Sequence, residues 1–169
     1  MRAFLIAAVA LAAAIPTFAQ KHYKDLVYPP LRELEIPDVQ RIELPNGLAL
    51  YLLEDRSLPK IEGRMLVRTG SRFEPKEKTG LASILGQVMR TGGSTSRSGD
   101  EIDRLLENTG ASVQTDIGAP SGGASVFALK EDLPLVLETL AELVRSPALP
   151  EDKIELAKVQ EQTAIARRN

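Results

Sequence analysis

Apolar and polar residues recur with two different periods along this chain, and the switches between them mark out its strands and helices. Arg41-Ile42-Glu43-Leu44 and residues 48–53 read as strands on either side of Pro45-Asn46-Gly47. Asn-Gly between two such runs predicts a hairpin whose two central residues both take positive φ. A third strand spans Ile61 to Arg68 and stops at Thr69-Gly70-Ser71. The period then becomes helical. Leu81, Ile84, Leu85 and Val88 share one face of a helix running from Gly80 to Met89. Ser98-Gly99-Asp100-Glu101 has the form of a capping box, opening a second helix that buries Ile102, Leu105 and Leu106. That helix closes at Asn108-Thr109-Gly110, where glycine suits a left-handed end.

Two further strands follow, Ala111 to Asp116 and Ala124 to Leu129. The glycine-rich stretch from Gly118 to Gly123 between them reads as a flexible hairpin tip. It lacks the Lys-Ser/Thr of a phosphate loop, and a strand rather than a helix comes next. A third helix has Asp132 as its cap and Pro134 in its first turn, with Leu133, Val136, Leu137, Leu140 and Val144 inside. A fourth opens at Pro150, and its pattern is still helical at Asn169. The order β-β-β-α-α-β-β-α-α predicts an α+β fold, an antiparallel or mixed sheet covered on one face by helices.

Ahead of these elements the pattern differs. Met1-Arg2, an apolar run from Ala3 to Ile15 and the small residues of Pro16-Thr17-Phe18-Ala19 read as a signal peptide over 1–19. The run is short for a bilayer span, so no membrane anchor is expected after cleavage. Export follows, to a periplasm or the medium. Residues 20–38 read as an extended leader broken by Tyr28-Pro29-Pro30 and Ile36-Pro37. Compact structure is expected over 39–169, incomplete at its C-terminal end.

Composition narrows the chemistry. The 169 residues carry a formal net charge of −2 and no long basic run, so no nucleic-acid partner is indicated. The absence of cysteine excludes disulfides, thiolate nucleophiles and cysteine metal ligands. Histidine occurs once, at His22 in the leader, which leaves a serine hydroxyl near the helices without an imidazole base. Glu74, Glu77, Asp100 and Glu101 are scattered acids near element ends, suited to capping or solvation rather than paired acid-base work.

Short motifs recur here in a known order. They are Leu44-Pro45-Asn46-Gly47-Leu48, the run from Val67 to Pro75, and Thr79-Gly80-Leu81-Ala82. Gly92-Gly93-Ser94-Thr95, Leu105 to Ala111, and Leu149-Pro150-Glu151 follow. Together they make the chain resemble the N-terminal domain of the insulinase/pitrilysin metallopeptidases, the inverzincins. That family carries His-x-x-Glu-His on a helix opened by Gly-Leu-Ala. Its two histidines and a downstream glutamate bind zinc, and the glutamate of the motif activates water.

The resemblance implies that every one of these positions is vacated here. The first histidine falls on Ser83, the base on Gly86 and the second histidine on Gln87. The third ligand falls on Ala164, and an accessory glutamate on Ala157. A hydroxyl and a neutral amide cannot replace imidazole lone pairs on zinc. Ser83 and Gln87 are i, i+4 neighbours, turned away from Leu81, Leu85 and Val88.

No catalytic residue, metal ligand or cofactor is therefore expected in this chain. The resemblance implies a non-catalytic subunit that assists a zinc-bearing family partner acting on peptides. A structural or peptide-binding protein on the same fold is the alternative. An active zinc peptidase is a further one.

Overall fold

The computed structural model describes residues 23–34 and 36–167, in two compact units that meet at Glu54–Asp55. The proposed signal peptide, His22 and the last two residues lie outside the described residues.

The first unit holds a two-stranded antiparallel ribbon, β1 (Gln40–Glu43) and β2 (Ala49–Leu52). Its turn differs from the expected one. Gly47 takes φ 83°, but Asn46 does not share the left-handed region. The Asn46 side chain instead accepts the Leu48 amide at 3.1 Å, so a side-chain bond closes the loop where a second left-handed residue was expected.

The second unit is a three-stranded antiparallel sheet with four helices. Strand β3 (Lys60–Val67) pairs with β5 (Gly122–Leu129), which pairs in turn with β4 (Ser112–Ile117), giving the order β3-β5-β4. Between the strands lie α1 (Leu81–Thr91) and α2 (Gly99–Thr109), and after them α3 (Leu133–Arg145) and α4 (Glu151–Ala166). The element order is the predicted one, and the α+β architecture stands. Helix α4 ends at Ala166, with Arg167 as its cap residue.

Strand β5 shows why the sheet has one covered face. Gly122, Ala124, Val126 and Ala128 are buried, while the residues alternating with them are open or half-open. On the covered side, Val113, Val126 and Ala128 meet Ile102 and Leu106 of α2 and Val136 and Leu143 of α3 in a single apolar cluster. Helix α1 lies along β4, and α4 packs on α1.

The glycines expected to make a flexible tip do something else. Gly122 and Gly123 belong to β5 itself, and a Cβ on Gly123 would sit inside the backbone of Met65 on β3. They are small because strands approach closely there. The turn proper is Gly118 to Ser121, closed by Gly118 N–H donating to Ser121 O at 3.0 Å. Ser71 N–H donates to Gly118 O at 3.0 Å and the Arg72 guanidinium reaches Pro120 O, so the tip is clasped from the end of β3.

Helix ends follow the sequence where the signal is local. Ser98 and Glu101 form the reciprocal box, Ser98 Oγ accepting the Glu101 amide and Glu101 accepting the Ser98 amide at 2.8 Å. Gly110 takes the left-handed conformation expected of it, φ 63°. Asp132 precedes α3 without a capping bond from its side chain.

The apolar faces shift where packing decides. In α1 the buried set is Ala82, Gly86 and Val88, and Leu81 stands exposed in the first turn. Small residues at 82 and 86 let the helix backbone come up against β4, which rotates the buried arc away from Leu81. In α3 the buried set is Val136, Thr139 and Leu143, while Leu137 is exposed.

Candidate functional site

The five positions assigned to the family's zinc site, Ser83, Gly86, Gln87, Ala157 and Ala164, lie on α1 and α4. Helix α1 is started by a residue well upstream. Glu74 accepts hydrogen bonds from the backbone N–H groups of Gly80 and Ala82 through its two carboxylate oxygens. These donors have no partner inside the helix, and a carboxylate at the positive end of the helix dipole stabilises it further. Gly80 supplies the left-handed entry, φ 98°. Glu74 is thus a cap, one of the two roles expected of the scattered acids. Glu101 is another, while Glu77 and Asp100 are exposed.

From that start the helix turns Ser83 and Gln87 towards α4. Ser83 Oγ donates to Glu161 Oε2 at 3.2 Å, and Gln87 Nε2 donates to the side-chain oxygen of Gln160. Glu161 and Gln160 face the two motif positions directly, and sequence reading had not singled either out. The signal was available: Ala157, Gln160, Glu161 and Ala164 fall on one face of α4 at helical spacing. Ala157 is buried and Ala164 half-buried on that same helix.

Gly86 points the other way. Its carbonyl accepts the Thr115 hydroxyl at 2.6 Å, and a Cβ at this position would lie 2.5 Å from the Ile117 nitrogen and 3.0 Å from the Asp116 carbonyl carbon. Backbone occupies the space where a side chain would begin. By propensity alone a glycine inside a helix is a weak point; here it stands at a position where β4 leaves room for nothing larger.

The donor set therefore does not fit zinc. Ser83, Gln87 and Gln160 contribute a hydroxyl and two neutral amides, and Glu161 contributes the one carboxylate. A catalytic zinc site takes three protein ligands of the imidazole, thiolate or carboxylate kind. Among the described residues no three or more His, Cys, Asp or Glu side chains are grouped to hold a metal ion. Nor does the Ser83–Glu161 pair make a nucleophile, because a carboxylate is far too weak a base to activate a serine hydroxyl without an imidazole between them.

A sequence profile of the family described as Insulinase (Peptidase family M16) matches residues 52–168, well over half of the chain. The chain belongs to the insulinase family. The cytochrome b-c1 complex subunit 1 of Rattus norvegicus mitochondria is 28% identical to this insulinase-family chain over 120 residues, covering 71% of the chain and 25% of that protein. The mitochondrial-processing peptidase subunit beta of Bos taurus is 29% identical over 122 residues, covering 72% and 24%. The chain thus spans about a quarter of the length of the curated relatives it matches. Among solved structures, the peptidase M16 inactive domain from Pseudomonas fluorescens superposes with a TM-score of 0.64 at 24% identity, over 74% of this chain and 30% of that one. A protease from Helicobacter pylori gives the same TM-score and identity over 79% and 31%. Both show that the insulinase-family domain has this fold.

Two exposed hydrogen bonds thus join α1 and α4 in this family member, beside the buried Ala157. Replacing Ser83 and Gln87 together by Ala is expected to lower stability by less than about 1 kcal/mol, since exposed side-chain bonds exchange readily with water. Urea unfolding of the double variant measures it. A loss of several kcal/mol would show that the two bonds hold α4 in place.

Proposed function

We propose that this insulinase-family domain is the non-catalytic member of a pair, contributing wall and peptide-contact surface to a zinc-bearing homologue. The observation that carries the reading is Gly86: the position assigned to the catalytic base is filled by the backbone of β4. Ser83 and Gln87, assigned to the two histidines, are engaged with Glu161 and Gln160. The relatives' names are consistent with a subunit, one belonging to the mitochondrial-processing peptidase and one to the cytochrome b-c1 complex. The export signal read from the sequence of residues 1–19 supports a site of action outside the cytoplasm.

The test is peptide cleavage by the chain alone and with an insulinase-family chain that retains His-x-x-Glu-His, from the same genome. The expected result is no turnover alone, and a kcat/KM for the zinc-bearing chain that rises on addition of this one. Unchanged cleavage by the mixture would overturn the pairing, and zinc-dependent turnover by the chain alone would overturn the loss of catalysis.

A further inference from the structure

The Asn46-Gly47 pair carries a chemistry that the proposed role does not use. The chain has three asparagines, Asn46, Asn108 and Asn169, and only Asn46 precedes a glycine. Glycine has no Cβ, so its backbone nitrogen can approach the preceding side chain unhindered. Asn108 differs on both counts. It lies inside α2, where the helix fixes the backbone, and the β-branched Thr109 follows it.

The turn holds the reacting groups close together. Gly47 N–H donates to Leu44 O and Leu44 N–H to Leu48 O, each at 2.9 Å, and Gly47 is left-handed, the form of a three-residue hairpin loop. Asn46 Oδ1 accepts the Leu48 N–H at 3.1 Å. That bond folds the side chain back along the Gly47 peptide and polarises Cγ, where a nucleophile would add. Both residues are exposed, and a Cβ on Gly47 would meet no atom within 4 Å. The nucleophile itself is occupied. Its N–H points at the Leu44 carbonyl, a poor base, so attack waits until this bond opens.

We infer that Asn46 is the chain's site of spontaneous deamidation, gated by opening of the Gly47–Leu44 bond. The Gly47 nitrogen gives its proton to solvent base and adds its electron pair to Asn46 Cγ. The Cγ–Nδ2 bond breaks, and Nδ2 takes a proton from water and leaves as ammonia. A cyclic imide, the succinimide, remains, and water adds to one or other of its carbonyls. Opening on one side gives aspartate, which still accepts the Leu48 amide. Opening on the other gives isoaspartate, whose main chain runs through the former side-chain methylene. The loop is then one main-chain carbon longer, and the Leu44–Leu48 bond that sets β1 on β2 no longer closes. The inference is independent of the proposed zinc-bearing partner, because it concerns one turn of this chain.

The full chain tests it, aged in warm buffer at neutral and mildly alkaline pH and then digested. The peptide containing position 46 should gain the mass of NH2 replaced by OH, faster at the higher pH, with isoaspartate located there by fragmentation. Asn108 should stay intact over the same time. Ageing in guanidinium chloride, which opens the turn, should speed conversion severalfold, and Asn46→Gln should form no isoaspartate. In the isoaspartate fraction, amide hydrogen exchange at Leu44 should rise severalfold. No conversion at position 46 overturns the inference, and so does conversion of Asn108 at a comparable rate. A rate unchanged in guanidinium chloride overturns the gate, and unchanged exchange at Leu44 overturns the loss of register.

Discussion

Gly86→Ala is expected to destabilise the domain by up to about 2 kcal/mol, although alanine is the better helix former. Helix propensity alone favours the substitution by roughly 1 kcal/mol. Against it stands a methyl group placed 2.5 Å from the Ile117 nitrogen, with the Asp116 carbonyl carbon at 3.0 Å. Both obstacles are backbone in a paired strand, so neither can rotate away, and overpacking of this kind typically costs about 1–3 kcal/mol. Moving α1 outward would also break the Thr115 bond to the Gly86 carbonyl. Thermal or urea unfolding measures the loss; an unchanged or raised midpoint would show that β4 yields.

Gly86→Glu is more severe, because a carboxylate is added to the same clash and buried without a partner. It follows that Ser83→His, Gly86→Glu and Gln87→His together restore no peptidase activity. They are expected to yield little folded protein. A folded triple variant with metal-dependent cleavage would overturn both the steric account and the assignment of the third ligand position to Ala164.

The second large effect is expected at Glu142. This residue of α3 gathers the loop between α1 and α2. Its Oε2 accepts Arg97 Nε at 2.9 Å and the hydroxyls of Ser94 and Ser96 at 3.0 Å each. Arg97 also donates to Thr139, which is fully buried. Both charged side chains are about three-quarters covered, 24% and 25% exposed. Glu142→Gln leaves Arg97 without its counter-charge, and a loss of about 2 kcal/mol is expected at neutral pH. A variant within 0.5 kcal/mol of wild type, roughly the scatter of an ordinary surface substitution, would mean that the loop does not depend on this pair.

The same contacts set a pH dependence. The Arg97 hydrogen bond foremost, with help from Ser94 and Ser96, holds the Glu142 carboxyl below its ordinary value of 4.5. The group's contribution is fully present above that value. It is lost as the pH falls towards the lowered folded value, because only the unfolded chain then takes up the proton. Wild-type stability should fall as the pH drops below about 4.5, and the Glu142→Gln variant should fall less steeply over the same window. Part of the slope should persist in the variant, since the carboxyls of Asp55 and Glu101 are also held low, by hydrogen bonds to Ser57 and Ser98.

These two sites mark the boundary of what the sequence could tell. The Asn-Gly turn, the Ser98–Glu101 box, the Gly110 end and the Pro150 start are local: each is decided by residues within a turn of one another. All four placed their elements correctly. Gly86, Gly123 and the Glu142–Arg97 pair are decided by partners 30 to 58 residues away, Ile117 among them, and no periodicity announces such a meeting. Glycine is the instructive case. In sequence it reads as flexibility or weakness, whereas at positions 86 and 123 it records how closely two backbones approach. The candidate site was half legible: Ser83 and Gln87 could be read as lacking metal donors, but not as hydrogen-bonded to Gln160 and Glu161.

The Ser83–Glu161 and Gln87–Gln160 bonds also bear on how the chain reaches its native state. Where a metal bridges two helices, its binding free energy is part of the folding free energy, and the folded population tracks how much free metal the compartment holds. Here the link between α1 and α4 is carried by groups the chain brings with it. At this contact, folding draws on hydrogen bonds rather than on a bound ion, so the α1–α4 junction needs no zinc to form.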